Sequence, residues 1–153
     1  MNIAITGTPG TGKTTFATAL AKKLNFKVLN EKEFALQNGI GKFVDDEFEI
    51  PLDVFEKKAN SFLAKNDNVI FEGHLLCEMK LKVDKIILIT LNPEKLELRL
   101  ELRQYSQEKI MDNVFCEGIE YCKKHVDRNY SKVIKIESGE MEKMLVLALK
   151  KLN

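Results

Sequence analysis

An α/β class, with a parallel sheet covered by helices on both faces, follows from three observations. Short β-branched runs alternate with longer segments of helical apolar spacing along the whole chain. The run at 83–91, VDKIILITL, is almost continuously apolar, as a strand buried on both faces should be. A glycine-rich turn joins the first strand-like run to the first helical one, a connection typical of strand-to-helix units.

Taken in order, 2–6 (NIAIT) is a short strand that enters the glycine turn. Residues 13–24 carry Phe16, Ala17, Leu20, Ala21 and Leu24 at helical spacing. A second strand is expected at 26–29, then a helix over 30–37 capped by Asn30. Residues 38–50, rich in glycine and acids, read as loop. Segment 52–65 reads as an amphipathic helix with Val54, Phe55, Ala59, Phe62 and Leu63 as its apolar face. Strands follow at 69–71 and 83–91. Asn92-Pro93-Glu94 starts a helix: a capping side chain, a proline in the first turn, then an acid near the positive end of the dipole. That helix runs to about 103, and another spans 107–125. A last strand at 132–136 and a helix at 140–152 complete the pattern.

The chain has 153 residues, which fits one domain over 1–153. A domain near that size buries about 68–70% of its unfolded surface, so no metal or disulfide staple is needed. Net charge is +1, which argues against a broad nucleic-acid surface. No apolar run approaches the roughly 18–20 residues of a membrane span, and the N-terminus lacks a signal-peptide pattern. Cys77, Cys116 and Cys122 form no C-x-x-C pair, so inert thiols in a reducing compartment and no structural zinc are expected. The expectation is a cytoplasmic monomer without a membrane partner.

Gly7-Thr8-Pro9-Gly10-Thr11-Gly12-Lys13-Thr14 matches G-x-x-x-x-G-K-[ST], with a strand before it and a helix after it. Glycines let successive backbone N–H groups turn inward around a phosphate, and the helix N-terminus adds partial positive charge. Lys13 is suited to the β- and γ-phosphates, and the Thr14 hydroxyl to Mg²⁺. Thr8, Pro9, Gly10, Thr11, Gly12, Lys13, Thr14 and Thr15 are the candidate residues for ATP. The motif does not say where the phosphoryl group goes.

Only three arginines occur, and Arg99 and Arg103 lie four apart on the helix that begins at Pro93. They fall between the rows Leu96/Leu100 and Leu98/Leu102, away from Glu94, Glu97 and Glu101, and neither has an acid three or four residues distant. Phosphate oxygens are the favoured partner, with a distant carboxylate as the alternative. Glu72 ends a strand expected beside the phosphate-loop strand, and ligands of such sheets bind at the carboxyl ends of strands. Glu72 is therefore a candidate for holding Mg²⁺ or its water with Thr14, and His74 for orienting a nucleophile or acceptor phosphate. Asp45-Asp46-Glu47 is read as a solvated turn, with acceptor orientation as the alternative; Asp112-Asn113 and His125 are read as surface.

Together these residues resemble the small nucleoside monophosphate kinases related to adenylate kinase isoenzyme 6, the nuclear kinase/ATPase with archaeal relatives. The matching parts are the loop Gly7 to Thr14, Asp45-Asp46-Glu47 followed by Pro51-Leu52-Asp53, Glu72-Gly73-His74, and Leu100-x-x-Arg103-x-Tyr105 with Lys109, Asp112 and Asn113. The resemblance implies a three-layer P-loop fold with a five-stranded parallel sheet in the order 2-3-1-4-5. It implies an acceptor segment at about 38–64 and a short lid at about 104–113. It implies Mg²⁺-dependent transfer from ATP to AMP, with Lys13, Arg99, Arg103, His74 and Glu72 as catalytic residues, together with ATPase activity. It also implies a role in maturation of the small ribosomal subunit, through a small-subunit ribosomal protein and the pre-ribosomal particle. An assembly switch driven by ATP hydrolysis, with AMP incidental, is the competing expectation. Two positions depart from the family pattern: Glu72 replaces an aspartate, and Gln104 replaces a glycine.

Overall fold

The computed structural model describes residues 1–153. In β1 (Ile3–Thr6), Ile3 and Ile5 face one side of a sheet and Ala4 the other, and all are buried, so the strand must be covered twice. Its parallel neighbours are β5 (Val69–Glu72) and β6 (Lys85–Thr90), with β2 (Lys27–Asn30) and β7 (Val133–Glu137) outside them. The sheet order is β2-β5-β1-β6-β7. Counting only the five strands of this sheet in chain order, that is the expected 2-3-1-4-5.

Helices α1 (Lys13–Leu24) and α7 (Met141–Leu152) cover one face, packing Phe16, Leu20, Met144 and Leu145 on Ile3, Ile5, Ile70 and Ile87. The other face is covered by α2 (Glu31–Gln37), α3 (Leu52–Lys65), a 3-10 turn (Leu75–Glu78) and α6 (Tyr121–Asn129). There Phe34 meets Phe55, Phe62 and Phe71 edge-on, at centroid distances of 5.4, 5.7 and 5.0 Å. Each fully buried phenylalanine contributes about 1.5–3 kcal/mol of transfer free energy. A third cluster, Leu91, Leu96, Leu100 and Ile110, joins α4 (Pro93–Leu102) to α5 (Gln107–Gly118). None of these helices is long and apolar enough to cross a membrane.

The boundaries of α1 and α3 coincide with the expected ones. Three expectations are corrected. Residues 38–50 are not all loop: β3 (Lys42–Val44) and β4 (Glu47–Glu49) form an antiparallel hairpin. Its turn residues Asp45 and Asp46 have φ of 49° and 64°, left-handed geometry that aspartate tolerates better than most residues. Segment 107–125 is two helices, because Glu120 takes a left-handed φ of 57° and starts α6 in a new direction. On α4 only the Leu96/Leu100 row is buried; Leu98 and Leu102 are exposed. The arginines therefore sit at the edge of an apolar row rather than between two.

Parallel register positions the chemistry. Ile5 pairs with Glu72 and the Gly73 N–H donates to the Ile5 carbonyl at 3.0 Å, so β5 ends beside the start of the phosphate loop.

Candidate active site

The loop between β1 and α1 closes on one of its own carbonyls. The Thr8 carbonyl accepts from the Thr11 N–H (3.2 Å), the Thr11 hydroxyl (2.8 Å) and the Lys13 ammonium (3.3 Å). Gly10 and Gly12 have φ of 95° and 94°, which an L side chain rarely adopts. Gly10 also lies against α4: a Cβ there would come within 2.8 Å of Leu96 and 2.7 Å of Leu100. Pro9 is half-buried, Thr8 and Thr11 are buried, and Thr14 and Thr15 are exposed at the start of α1.

Lys13 is 8% exposed. Burial pulls its ammonium below the usual lysine value; Glu31 and Glu72 oppose that pull, and the nearby Arg103 charge adds to it. The end of β5 supplies Glu72, 1% exposed, whose Oε1 accepts from the Thr14 hydroxyl at 3.1 Å and from Asn30 Nδ2 at 2.6 Å. Asn30 also caps α2 through its side-chain oxygen, so one residue ties the helix start to the carboxylate. Thr14 and Glu72 form an adjacent pair of hard oxygen donors, the kind of set that Mg²⁺ takes alongside phosphate oxygens.

His74 follows, half-exposed, with Nδ1 3.1 Å from Glu31 Oε2. Glu31 is buried, and its Oε1 accepts from the Leu75 N–H at 2.9 Å. Burial pushes the Glu31 carboxyl up to about 8. Burial, together with the Lys13 charge, pushes His74 down to about 4. Beside them lies a cavity of about 450 Å³ lined by Glu31, Lys32, Phe48, Ile50, Leu52 and His74, bounded by the hairpin and the start of α3. It falls within the segment expected to hold an acceptor and shares His74 and Glu31 with the surroundings of Lys13.

The two arginines separate in role. Arg99 Nη1 donates to the Thr11 carbonyl (3.3 Å) and to the Ser138 hydroxyl (3.1 Å), bracing the loop from outside. Arg103 is exposed, forms no ion pair with any carboxylate, and lies close enough for its charge to act on Lys13. The alternative of a distant carboxylate partner is not realised for either. Gln104, at the family's glycine position, has a φ of 58°. A residue with a Cβ thus holds a left-handed geometry that glycine adopts more readily. Lys109 of α5 reaches Glu47 of the hairpin at 3.8 Å, an exposed pair linking the two walls of the cleft. Asp45 and Asp46 are exposed without such a partner, and Asp112 is exposed on α5. His125 is not simply a surface residue: its ring lies 4.3 Å from that of Tyr121 and is half-buried.

Sequence reasoning missed Glu31, Asn30, Ser138 and Glu117. Glu117 Oε2 accepts from the Leu91 N–H at 3.2 Å, and burial raises its carboxyl above the ordinary range. Asn30 was legible only as a cap. An inward Glu31 could have been suspected from Gly73, the residue that makes room for it.

Comparison with known proteins adds the following. Residues 3–120 match a family profile described as an AAA domain. A protein of Pyrococcus abyssi (strain GE5 / Orsay) bearing the name "Putative adenylate kinase" is 42% identical over 120 residues, 78% of this chain and 65% of that protein. One of the same name from Methanococcus maripaludis (strain C7 / ATCC BAA-1331) is 33% identical over 152 residues, 93% of this chain and 82% of that protein. Among solved structures, a deoxyadenosine kinase from M. mycoides with bound dATP superposes with a TM-score of 0.65 at 18% identity, covering 100% of both chains. At that identity the likeness is one of fold.

Proposed function

From the premise that the chain belongs to the P-loop family that takes in the AAA-domain profile and these archaeal relatives, we propose that it transfers the γ-phosphoryl group of ATP to AMP. The observation that carries this reading is the cavity beside His74. A hydrolase needs only water beside the triphosphate. Here a cavity of about 450 Å³ is lined by Glu31 and His74, groups that also neighbour Lys13.

On this reading the backbone N–H groups of Gly10, Gly12, Lys13, Thr14 and Thr15 and the Lys13 ammonium bind the β- and γ-phosphates of ATP. Thr14 and Glu72 would hold Mg²⁺, which would offset phosphate charge during transfer. Arg103, with no protein partner, is free to meet oxygens whose charge shifts during transfer, while Arg99 keeps the loop in place. His74, at the boundary of the two sites, orients the acceptor phosphate. AMP occupies the cavity, its base near Phe48 and Leu52 and its phosphate toward His74. Segment 104–113 closes as a lid and excludes water. All of this lies within one domain, 1–153.

The experiment is a nucleotide panel. The purified chain is incubated with ATP, Mg²⁺ and AMP, CMP, UMP or GMP, and nucleoside diphosphate is compared with free phosphate. Diphosphate formation greatest with AMP, with little phosphate released, is the expected result. Phosphate release indifferent to any monophosphate contradicts it. A second reading, the ATP-hydrolysing switch in small-subunit maturation, is favoured by one feature: Asp45, Asp46, Glu47 and Glu49 stand exposed on the hairpin, an acidic surface for a basic ribosomal protein. Phosphate release that rises when such a protein is added, and does not respond to AMP, is its distinguishing result.

A further inference from the structure

An acid in the first turn of a helix usually faces water, where it complements the dipole. Glu31 opens α2 and instead is 4% exposed. Its two oxygens have separate partners: Oε1 takes the Leu75 N–H at 2.9 Å, and Oε2 lies 3.1 Å from His74 Nδ1. The space it occupies exists only because residue 73 has no side chain. A Cβ at Gly73 would come within 1.8 Å of Glu31 Oε1, 2.2 Å of its Cδ and 2.5 Å of its Cγ. Gly73 is not among the positive-φ residues, so the glycine is needed for room and not for backbone conformation. The His74 carbonyl is held too, by the Cys77 thiol at 3.2 Å and the Thr6 hydroxyl at 3.5 Å. Backbone and Nδ1 are thereby fixed, and Nε2 is the ring nitrogen left for a ligand in the neighbouring cavity.

We propose that Glu31 is a positioning residue for phosphoryl transfer: seated in the space left by Gly73, it grips His74 Nδ1 and the Leu75 N–H and so holds the His74 ring toward the acceptor site. The proposal deepens the kinase reading and rests on it for the word acceptor. Glu31 borders the cavity but is 4% exposed, with both oxygens already taken by Leu75 and His74. Its effect passes through the orientation and tautomer of His74, as the group hydrogen-bonded to one imidazole nitrogen determines what the other can do. A displacement of about 1 Å in a positioning group can cost on the order of 10²-fold in rate.

The test uses single and double variants and two readouts. Glu31→Gln fills the same volume and still accepts from Leu75, but offers His74 an amide. It is expected to lower kcat by roughly 10- to 100-fold with little change in KM for ATP. Combined with His74→Ala it should add almost nothing, because both changes disable one device. Gly73→Ala should reproduce the loss by displacing Glu31, and should do no further harm on a Glu31→Ala background. The second readout is imidazole ¹⁵N NMR of the free protein, where only two histidines need to be told apart. His74 resonances are expected to move with Glu31→Gln. Unmoved His74 resonances overturn the proposal, as do losses that multiply in the double variant. Should the unmodified chain phosphorylate no nucleoside monophosphate, it is the kinase reading that fails; the resonances then still decide whether Glu31 holds the ring. If Glu31→Gln does not fold, Glu31→Asp, one methylene shorter, supplies the same NMR comparison.

Discussion

Replacing Arg99 or Arg103 by alanine should produce two different defects. Arg103 is exposed and carries no ion pair, so its loss should change stability by no more than about 0.5 kcal/mol, as for a surface substitution. At roughly 2–4 °C per kcal/mol for a chain of this size, the melting temperature moves by about 2 °C or less. Turnover is another matter. An arginine that meets transition-state charge in phosphoryl transfer is worth about 10³–10⁵ in rate, or roughly 4–7 kcal/mol at 1.36 kcal/mol per decade. Arg99 makes two hydrogen bonds, to Thr11 and Ser138, and is half-buried. Charge-assisted bonds are worth about 1.5–3 kcal/mol when buried. Solvent screening brings the pair to about 1–2 kcal/mol in all, or roughly 2–8 °C. The assays are steady-state ADP formation, ATP affinity measured separately, and a thermal melt. Arg103→Ala should keep ATP affinity and melting temperature and lose turnover. Equal loss of affinity and turnover would mean that Arg103 only binds ground-state phosphate, which refutes the reasoning. A lower melting temperature for Arg103→Ala than for Arg99→Ala would refute the division of roles.

Other expectations follow from the same geometry. Glu31 titrates near 8 in the fold against 4.5 when unfolded, so the folded form holds a proton the unfolded chain lacks, and stability falls as pH rises through that window. His74 titrates near 4 against 6.5, so its contribution rises with pH up to 6.5. The two oppose each other between pH 4.5 and 6.5, and above 6.5 Glu31 acts alone. Urea midpoints should fall between pH 6.5 and 8, and Glu31→Gln should remove the fall; a rise over that range contradicts it. Gly10→Ala places a Cβ against Leu96 and Leu100 at a φ of 95°. It should cost about 1–3 kcal/mol and weaken ATP binding, read by melting and nucleotide titration. Phe34→Ala empties the centre of the four-ring cluster under the hairpin and should cost about 3–5 kcal/mol in denaturant unfolding.

The fold was legible because its signals are local. The glycine loop, the proline at 93 and the amphipathic spacing of 52–65 act within one or two turns of chain, and they place α1, α3 and α4 correctly. The hairpin escaped because its turn is Asp45-Asp46 rather than a pair containing glycine. Phe43 and Phe48, 5.1 Å apart across the strands, were its one alternating signal. The break between α5 and α6 depends on Glu120 adopting a left-handed φ that its residue type does not announce. In the candidate site, Lys13, Thr14, Glu72 and His74 lie at ends of adjacent strands or in the loop, where topology alone brings them together. Glu31 and Ser138 were invisible because their roles depend on contacts 43 and 39 residues away, His74 for Glu31 and Arg99 for Ser138. Only the packed chain shows that the absence of a side chain at Gly73 admits a carboxylate.

The most direct measurement follows the terminal phosphate itself. ATP labelled at the γ-phosphorus is mixed with Mg²⁺, AMP and the purified chain, and the label is located after a few turnovers. The account predicts that the label appears in ADP made from AMP, with two ADP formed for each ATP consumed, and that Arg103→Ala abolishes that transfer while ATP remains bound. Label recovered as inorganic phosphate at the same rate with and without AMP would contradict it.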